Sequence, residues 1–208
     1  MKLLILGATG GVGCELVRQS LDRGHTVTAL VRSPERLAHF ATRLNAVPGD
    51  LLNPGELSRV LTGQDAVLSG FGPRLPLRSE DHDLLERFAR TLTRAMSAST
   101  CRRAVIVSTA FLFTDALFPP AHLFGRLFFR SVVKDASAME AIVQSSPLDW
   151  VLIRPPQLTD KPLTKKYRQR ASHLPLFGFK VSRADTAHCM LQVTEQHTYS
   201  RKVVGIAN

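Results

Sequence analysis

The sequence predicts an α/β domain with a doubly wound, mostly parallel sheet. Two observations predict it: apolar runs of strand length alternate with capped segments of helix length, and the first apolar run leads straight into regularly spaced glycines. The 208 residues suit a single domain spanning 1–208 and can bury a full core. No internal repeat, low-complexity segment or linker divides them.

The elements follow in order. An apolar first strand ends at Leu6, and Gly7-Ala8-Thr9-Gly10-Gly11-Val12-Gly13 then sets glycines at G-x-x-G-x-x-G spacing. Cys14 to Arg23 reads as an amphipathic helix stopped by Gly24, and Thr26 to Val31 as the second strand. Ser33-Pro34-Glu35-Arg36 opens a helix, with serine as cap and proline in the first turn. Asn45 to Val47 is a short strand running into Gly49-Asp50-Leu51, and Asn53-Pro54-Gly55-Glu56 carries the spacing of a capping box. Strands are expected at Asp65 to Gly70, Arg103 to Thr109, Trp150 to Arg154 and Lys202 to Ile206. Helices are expected at Ser79 to Ser97, Asp135 to Gln144 and Arg183 to Glu195. Pro155 to Phe177 is the one long stretch without an element, a substrate-side loop region of about 155–180.

The glycines carry the first chemical inference. Gly7 can take a backbone conformation closed to residues with a β-carbon, Gly10 lets a ligand approach the main chain, and Gly13 lets helix and strand pack closely. Freed amides at the helix start, with the positive end of its dipole, then suit a dinucleotide's pyrophosphate. The residue after the second strand selects the nucleotide. An acidic residue there binds the ribose of NAD, whereas Arg32, followed by Arg36, suits the 2′-phosphate of NADP(H).

Composition narrows the alternatives. Cys14, Cys101 and Cys189 are isolated and odd in number, which fits a reducing cytoplasm and offers neither a disulfide framework nor a metal site. No apolar run reaches the roughly 18 residues of a membrane span, so no membrane partner is expected. The formal charge of +10 would attract an anionic cofactor or substrate, and no nucleic-acid-binding module accompanies it.

These residues resemble the atypical short-chain dehydrogenase/reductase branch, with its NmrA-like proteins and Rossmann-type NAD(P)-binding fold, and within it the NADPH-dependent flavin and biliverdin reductases. The resemblance rests on the G-A-T-G-x-x-G opening, Val31-Arg32, Gly49-Asp50-Leu51 and Gly63-Gln64-Asp65-Ala66-Val67. It continues through Ser108-Thr109-Ala110-Phe111-Leu112, Arg154-Pro155-Pro156-Gln157, Asp160-Lys161-Pro162-Leu163-Thr164 and Val181-Ser182-Arg183-Ala184-Asp185. It implies that Thr9, Gly10, Gly11 and Val12 contact the pyrophosphate, Arg32 and Arg36 the 2′-phosphate, and Asp50 and Leu51 the adenine. Gly72 and Arg74 would cover the adenosine side. Ser108, Thr109, Pro155 and Pro156 would surround the nicotinamide, with Ser108 and Thr109 as the catalytic candidates. Gln157 stands where the flavin reductase has a histidine, so that histidine's acid role has no counterpart here.

Ordinary short-chain dehydrogenases protonate their substrate with a tyrosine four residues before a lysine. Here Tyr167 and Tyr199 are the only tyrosines, and neither has lysine at that spacing. Hydride transfer to a flavin ring suits such a site, because the charge delocalises and two flat rings need only be held face to face. Phe111, Phe113, Phe118, Phe124, Phe128 and Phe129 are candidate walls, and Phe111, Phe113 and Gln157 are the residues assigned to substrate. The resulting expectation is a cytoplasmic NADPH-dependent reductase, monomer or homodimer, with flavin as a diffusing substrate and quinones or linear tetrapyrroles as further acceptors. A dinucleotide-sensing regulator without turnover and an NADP-dependent biosynthetic isomerase or reductase are the alternatives.

Overall fold

Successive residues of the first strand, β1 (Lys2–Leu6), point to opposite faces of the sheet and bury into two different cores. The structure is a computed structural model that describes residues 1–73, 82–113 and 130–208. Leu3 and Ile5 join the core under α1 (Gly11–Asp22) and α5 (Arg183–Glu195). Leu4 and Leu6 join the core under α2 (Pro54–Leu61), α3 (Leu84–Ser97) and α4 (Arg130–Ser145). All four side chains are fully buried. An apolar run without alternation is what a parallel strand covered on both faces requires.

The remaining strands are β2 (Thr26–Val31), β3 (Leu44–Pro48), β4 (Ala66–Ser69), β5 (Arg103–Val107), β6 (Asp149–Arg154), β7 (Gln157–Thr159), β8 (Arg168–Ala171), β9 (Lys180–Ser182) and β10 (Lys202–Ala207). The main sheet runs β3-β2-β1-β4-β5-β6-β10-β8, parallel throughout except for β8, which lies antiparallel to β10 at the edge. Strand order reverses between β1 and β4, so a crevice opens at their carboxyl ends. The expected doubly wound sheet is therefore the observed one.

Three local features differ from the sequence reading. Pro34–Phe40 winds as a 3-10 helix, and Ser33 makes no side-chain capping bond. Asn53 does cap α2, through Gly55 and Glu56 amides at 3.0 and 3.3 Å, but Glu56 reaches back to the Asp50 amide at 2.6 Å. Pro155 to Phe177 holds two short strands, β7 paired with β9 and β8 paired with β10. Arg168-Gln169-Arg170-Ala171 has no apolar alternation because β8 is a largely exposed edge, which is why its sequence reads as loop. The expectations for Arg74, for the start of the 79–97 helix, and for Phe118, Phe124, Phe128 and Phe129 lie outside the described residues.

Two buried carboxylates tie elements together across the sequence. Asp135 on α4 accepts the Leu85 and Glu86 amides at 2.9 Å each, so one helix caps the start of another. Asp185, with no exposed surface, accepts the Thr164 amide at 2.9 Å, the Thr164 hydroxyl at 2.8 Å, the Lys165 amide at 2.8 Å and the Ser182 hydroxyl at 2.9 Å. Burial alone would raise the Asp185 pKa, but the donors from Thr164, Lys165 and Ser182 outweigh it and hold the carboxyl below its ordinary value. A depressed carboxyl stabilises the fold above its unfolded pKa of about 4, and that contribution disappears as pH falls through the lower folded value. Asp185→Ala is expected to cost about 3 kcal/mol or more at pH 7, since several charge-assisted bonds go unmade. Urea denaturation at pH 7 and at low pH should show the gap between variant and wild type narrowing on acidification.

Candidate dinucleotide and acceptor site

At the sheet's switch point three glycines allow α1, β1 and β4 to meet. Gly7 has φ +71°, and a β-carbon there would lie 2.6 Å from the Phe71 amide nitrogen. One on Gly13 would lie 2.6 Å from the Gly7 carbonyl carbon, and one on Gly70 would lie 2.8 Å from the Gly13 nitrogen. Gly10 is less confined: its nearest obstacle would be the Gly7 oxygen at 3.3 Å. The Gly10 amide donates to the Gly7 oxygen at 2.9 Å, and Gly10 caps α1 without a side chain. The first amides of α1 are thus left for a ligand, which is the requirement of a pyrophosphate cradle.

The other predicted cofactor residues lie along the same carboxyl edge. Thr9 is half-buried and Val12 buried in the glycine turn. Arg32 leaves the end of β2 exposed, as does Arg36 in the 3-10 turn, and among the described residues no ion pair holds either. Asp50 follows β3, with its carboxylate accepting the Leu52 amide at 3.0 Å, and Leu51 packs beside the α2 and α3 core. Gly72, after β4, is exposed, with open space where a β-carbon would stand. The residues present therefore fit a phosphorylated dinucleotide: the helix start of α1 for the diphosphate, and guanidiniums without an ion pair among the described residues where its ribose phosphate would lie.

The ends of β5 and β6 are stitched together. The Ser108 amide donates to the Ile153 oxygen at 2.7 Å, and the Ala110 amide to the Pro155 oxygen at 3.0 Å. The Ser108 hydroxyl is buried and has no hydrogen-bond partner among the described residues. The Thr109 hydroxyl accepts from the Phe111 amide at 3.3 Å, which leaves its own proton unassigned. Pro155 is buried and Pro156 half-buried beside them. The exposed Gln157 donates its amide to the Phe179 oxygen at 3.3 Å.

Phe111 and Phe113 part company. Phe111 is half-buried in the short 3-10 turn after Thr109. Phe113 is 3% exposed, packs with Ala110 and Leu174, and lies under the Arg154 guanidinium at 4.5 Å. Arg154 is itself held by Glu140 through contacts of 2.9 and 2.5 Å, so the Phe113 ring is engaged in packing.

Neither tyrosine takes the acid's place. The Tyr167 hydroxyl donates to Gln192 Oε1 at 2.8 Å and lies 2.8 Å from His188 Nδ1, both on α5. Burial pushes its pKa well above the ordinary value and holds His188 below its own. Tyr199 packs on the α1 and α5 core. A groove of about 470 Å³ includes Tyr167, Gln192 and Tyr199 in its lining, but no residue of the glycine turn or of the β5 and β6 ends. Burial also raises all three thiols, Cys101 to about 11 and Cys189 to about 12, and leaves them poor nucleophiles.

One residue without a role in the sequence reading stands in the cradle. Arg183, first in α5, lays its side chain over Gly11, so that a β-carbon there would lie 2.6 Å from Nε. Its guanidinium pairs with the exposed Asp160 at 2.6 Å. A cation beside a helix N-terminus is favourable only with an anion between them. Only the long-range packing of α5 on α1 brings it there, so local sequence gives no sign of it.

The fold and this edge define a dinucleotide-binding protein, and comparison with known proteins agrees. The family described as NAD(P)H-binding matches residues 7–197, and the chain belongs to it. It is 43% identical over 70 residues to the photosystem II assembly factor Ycf39 of Synechocystis sp., a match covering 33% of this chain and 21% of that protein. The chain thus spans only about a fifth of that relative's length. An uncharacterized chloroplastic protein of Arabidopsis thaliana is 29% identical over 217 residues, covering 99% of this chain and 76% of that one. Among solved structures, ChuY, an anaerobillin reductase from Escherichia coli O157:H7, superposes with a TM-score of 0.83 at 20% identity, covering 100% of this chain and 97% of the other. At that identity the likeness is one of fold.

Arg32→Glu is expected to weaken NADPH binding more than NADH binding, by about tenfold or more, since a charge-assisted bond of roughly 1.5–3 kcal/mol is replaced by repulsion. Titration with both nucleotides checks this, and an unchanged preference removes Arg32 from the site. Arg183→Ala should instead weaken both nucleotides alike, because it stands over the start of α1 where the diphosphate they share would lie.

Proposed function

We propose that this chain is an NADPH-dependent reductase that passes hydride to a planar conjugated acceptor, a flavin first, with quinones and linear tetrapyrroles as further candidates. The observation that carries the reading is the joined end of β5 and β6. There a buried, unpartnered Ser108 hydroxyl and Thr109 stand beside Pro155, while the Tyr167 hydroxyl is committed to α5. Such an edge can orient flat rings and offer a hydroxyl, but holds no activated phenol to protonate an alkoxide.

The α1 amides and Arg183 would hold the diphosphate, Arg32 and Arg36 the 2′-phosphate, and Asp50, Leu51 and Gly72 the adenosine side. NADPH supplies the hydride when bound. The chain's own work is positional: Ser108 and Thr109 hydrogen-bond at the reacting edge, the two prolines present a rigid wall, and Phe111 and Gln157 border the acceptor. Kinship with the flavin and biliverdin reductases in particular belongs to this proposal, supported by the residue motifs and by the shared fold of ChuY.

A second reading is a dinucleotide-bound protein that acts on an assembly partner without turnover. The match to Ycf39, named as an assembly factor, favours it. The two separate by following absorbance at 340 nm with purified protein, NADPH and FMN, with a quinone and biliverdin in parallel. The reductase consumes NADPH only when acceptor is present, and Phe111→Ala should raise the acceptor KM by several fold while NADPH affinity holds. Tight NADPH binding with no turnover on any acceptor would move the assignment to the second reading.

A further inference from the structure

The most exposed apolar groups of the described chain gather on one turn. Pro175 to Gly178 is closed by the Gly178 amide on the Pro175 oxygen at 3.0 Å. Leu176 is 68% exposed, Phe177 81% and the neighbouring Phe179 55%. Phe177 has φ +57°, a left-handed conformation that glycine adopts freely and a bulky aromatic adopts only under strain. A strained backbone that holds a large apolar ring in water gains nothing for the fold, and such outliers cluster where the chain binds something.

The surroundings of the turn define what it binds. From Lys161 to Lys180 the sequence has six cations, Lys161, Lys165, Lys166, Arg168, Arg170 and Lys180, and no Asp or Glu. One of them is brought directly to the turn, and two others are linked to it through Asn208. Arg168 donates to the Leu176 oxygen at 2.8 Å and to the Asn208 oxygen at 3.0 Å. Asn208 donates its side-chain amide to the Lys166 oxygen at 3.2 Å and its backbone amide to the Lys180 oxygen at 3.1 Å. The Arg168 guanidinium and the backbones of Lys166 and Lys180 are therefore tied to the apolar tip by hydrogen bonds, within a stretch of chain that carries only positive charge.

We propose that this surface docks the protein on an anionic lipid bilayer, with Leu176, Phe177 and Phe179 entering the interface and the cations meeting the headgroups. Charge complementarity and the apolar tip select this occupant. A second copy would set like charge against like, and a nucleic-acid backbone would leave Leu176 without a partner. No spanning helix is needed, so the lack of a long apolar run does not bear on peripheral docking. The turn lies on the sheet's carboxyl edge, with the Phe179 oxygen bonded to the Gln157 amide, so docking would turn the acceptor side of the molecule toward the membrane.

The test is co-sedimentation of the full chain with phosphatidylglycerol-containing vesicles and with pure phosphatidylcholine vesicles. Partitioning at least tenfold stronger to the anionic vesicles, falling as salt rises, is expected. Phe177→Gly is the informative variant, because glycine suits the positive φ and should preserve or raise the melting temperature. Its partitioning should drop at least fivefold while NADPH binding is unchanged. Lys166→Glu with Lys180→Glu should flatten the salt dependence. Absence of binding to anionic vesicles, or binding that Phe177→Gly leaves intact, overturns the proposal. So does a dimer in sedimentation velocity that Phe177→Gly dissociates, which would assign the surface to a second copy.

Discussion

The contact on which the molecule depends is the one between Gly7, Gly13 and Gly70, where a helix meets two strands with no side chain between backbones. It sets the depth at which α1 enters the sheet, and so where its unpaired amides stand relative to the ends of β1 and β4. The two demands are separable. Gly7, Gly13 and Gly70 leave no room for a β-carbon between backbones, whereas Gly10 has its nearest neighbour, the Gly7 oxygen, at 3.3 Å, so the same short motif contains glycines that packing requires and one that it confines less.

The second organising principle is burial of charge in ion pairs and hydrogen bonds, although Arg103 Nε and Asp149 Oδ1 stay buried without a partner among the described residues. Arg103, 3% exposed, pairs with Asp149 at 2.9 Å and donates to the Val193 and Thr198 oxygens at 2.7 and 2.6 Å. Glu140 and Arg154 join α4 to β6, and Asp185 joins α5 to the 164–165 segment. Buried pairs of this kind add modestly to net stability, but leaving one member alone is strongly unfavourable. They therefore fix geometry, and two of the joined elements, β5 and β6, end at the proposed acceptor site.

Much of this was legible in the sequence. The strands betray themselves because burial on both faces demands unbroken apolar runs such as Leu3-Leu4-Ile5-Leu6, and α5 begins and ends at the residues its pattern implies. Gly24, φ +78°, stops α1 as the composition suggests, with the His25 amide reaching back to the Ser20 oxygen at 3.0 Å. What the sequence hid is non-local or unpatterned. The Asp135 cap spans 49 and 50 residues, Arg183 reaches Gly11 across the sheet face, and β7 is too short to show a period. The 3-10 winding of 34–40 escapes notice because proline and a cap residue serve a tight helix and an α-helix equally.

The edge strand β8 adds a constraint of another kind. Among the described residues no strand pairs with its outer side, the template on which another chain's strand could build. Arg168 and Arg170 stud this short strand, and β10 behind it is buried. The arginines thus guard against edge-to-edge aggregation, independently of any ligand. A change of Arg168 or Arg170 to a neutral side chain therefore bears on pairing of the sheet edge before it bears on any ligand.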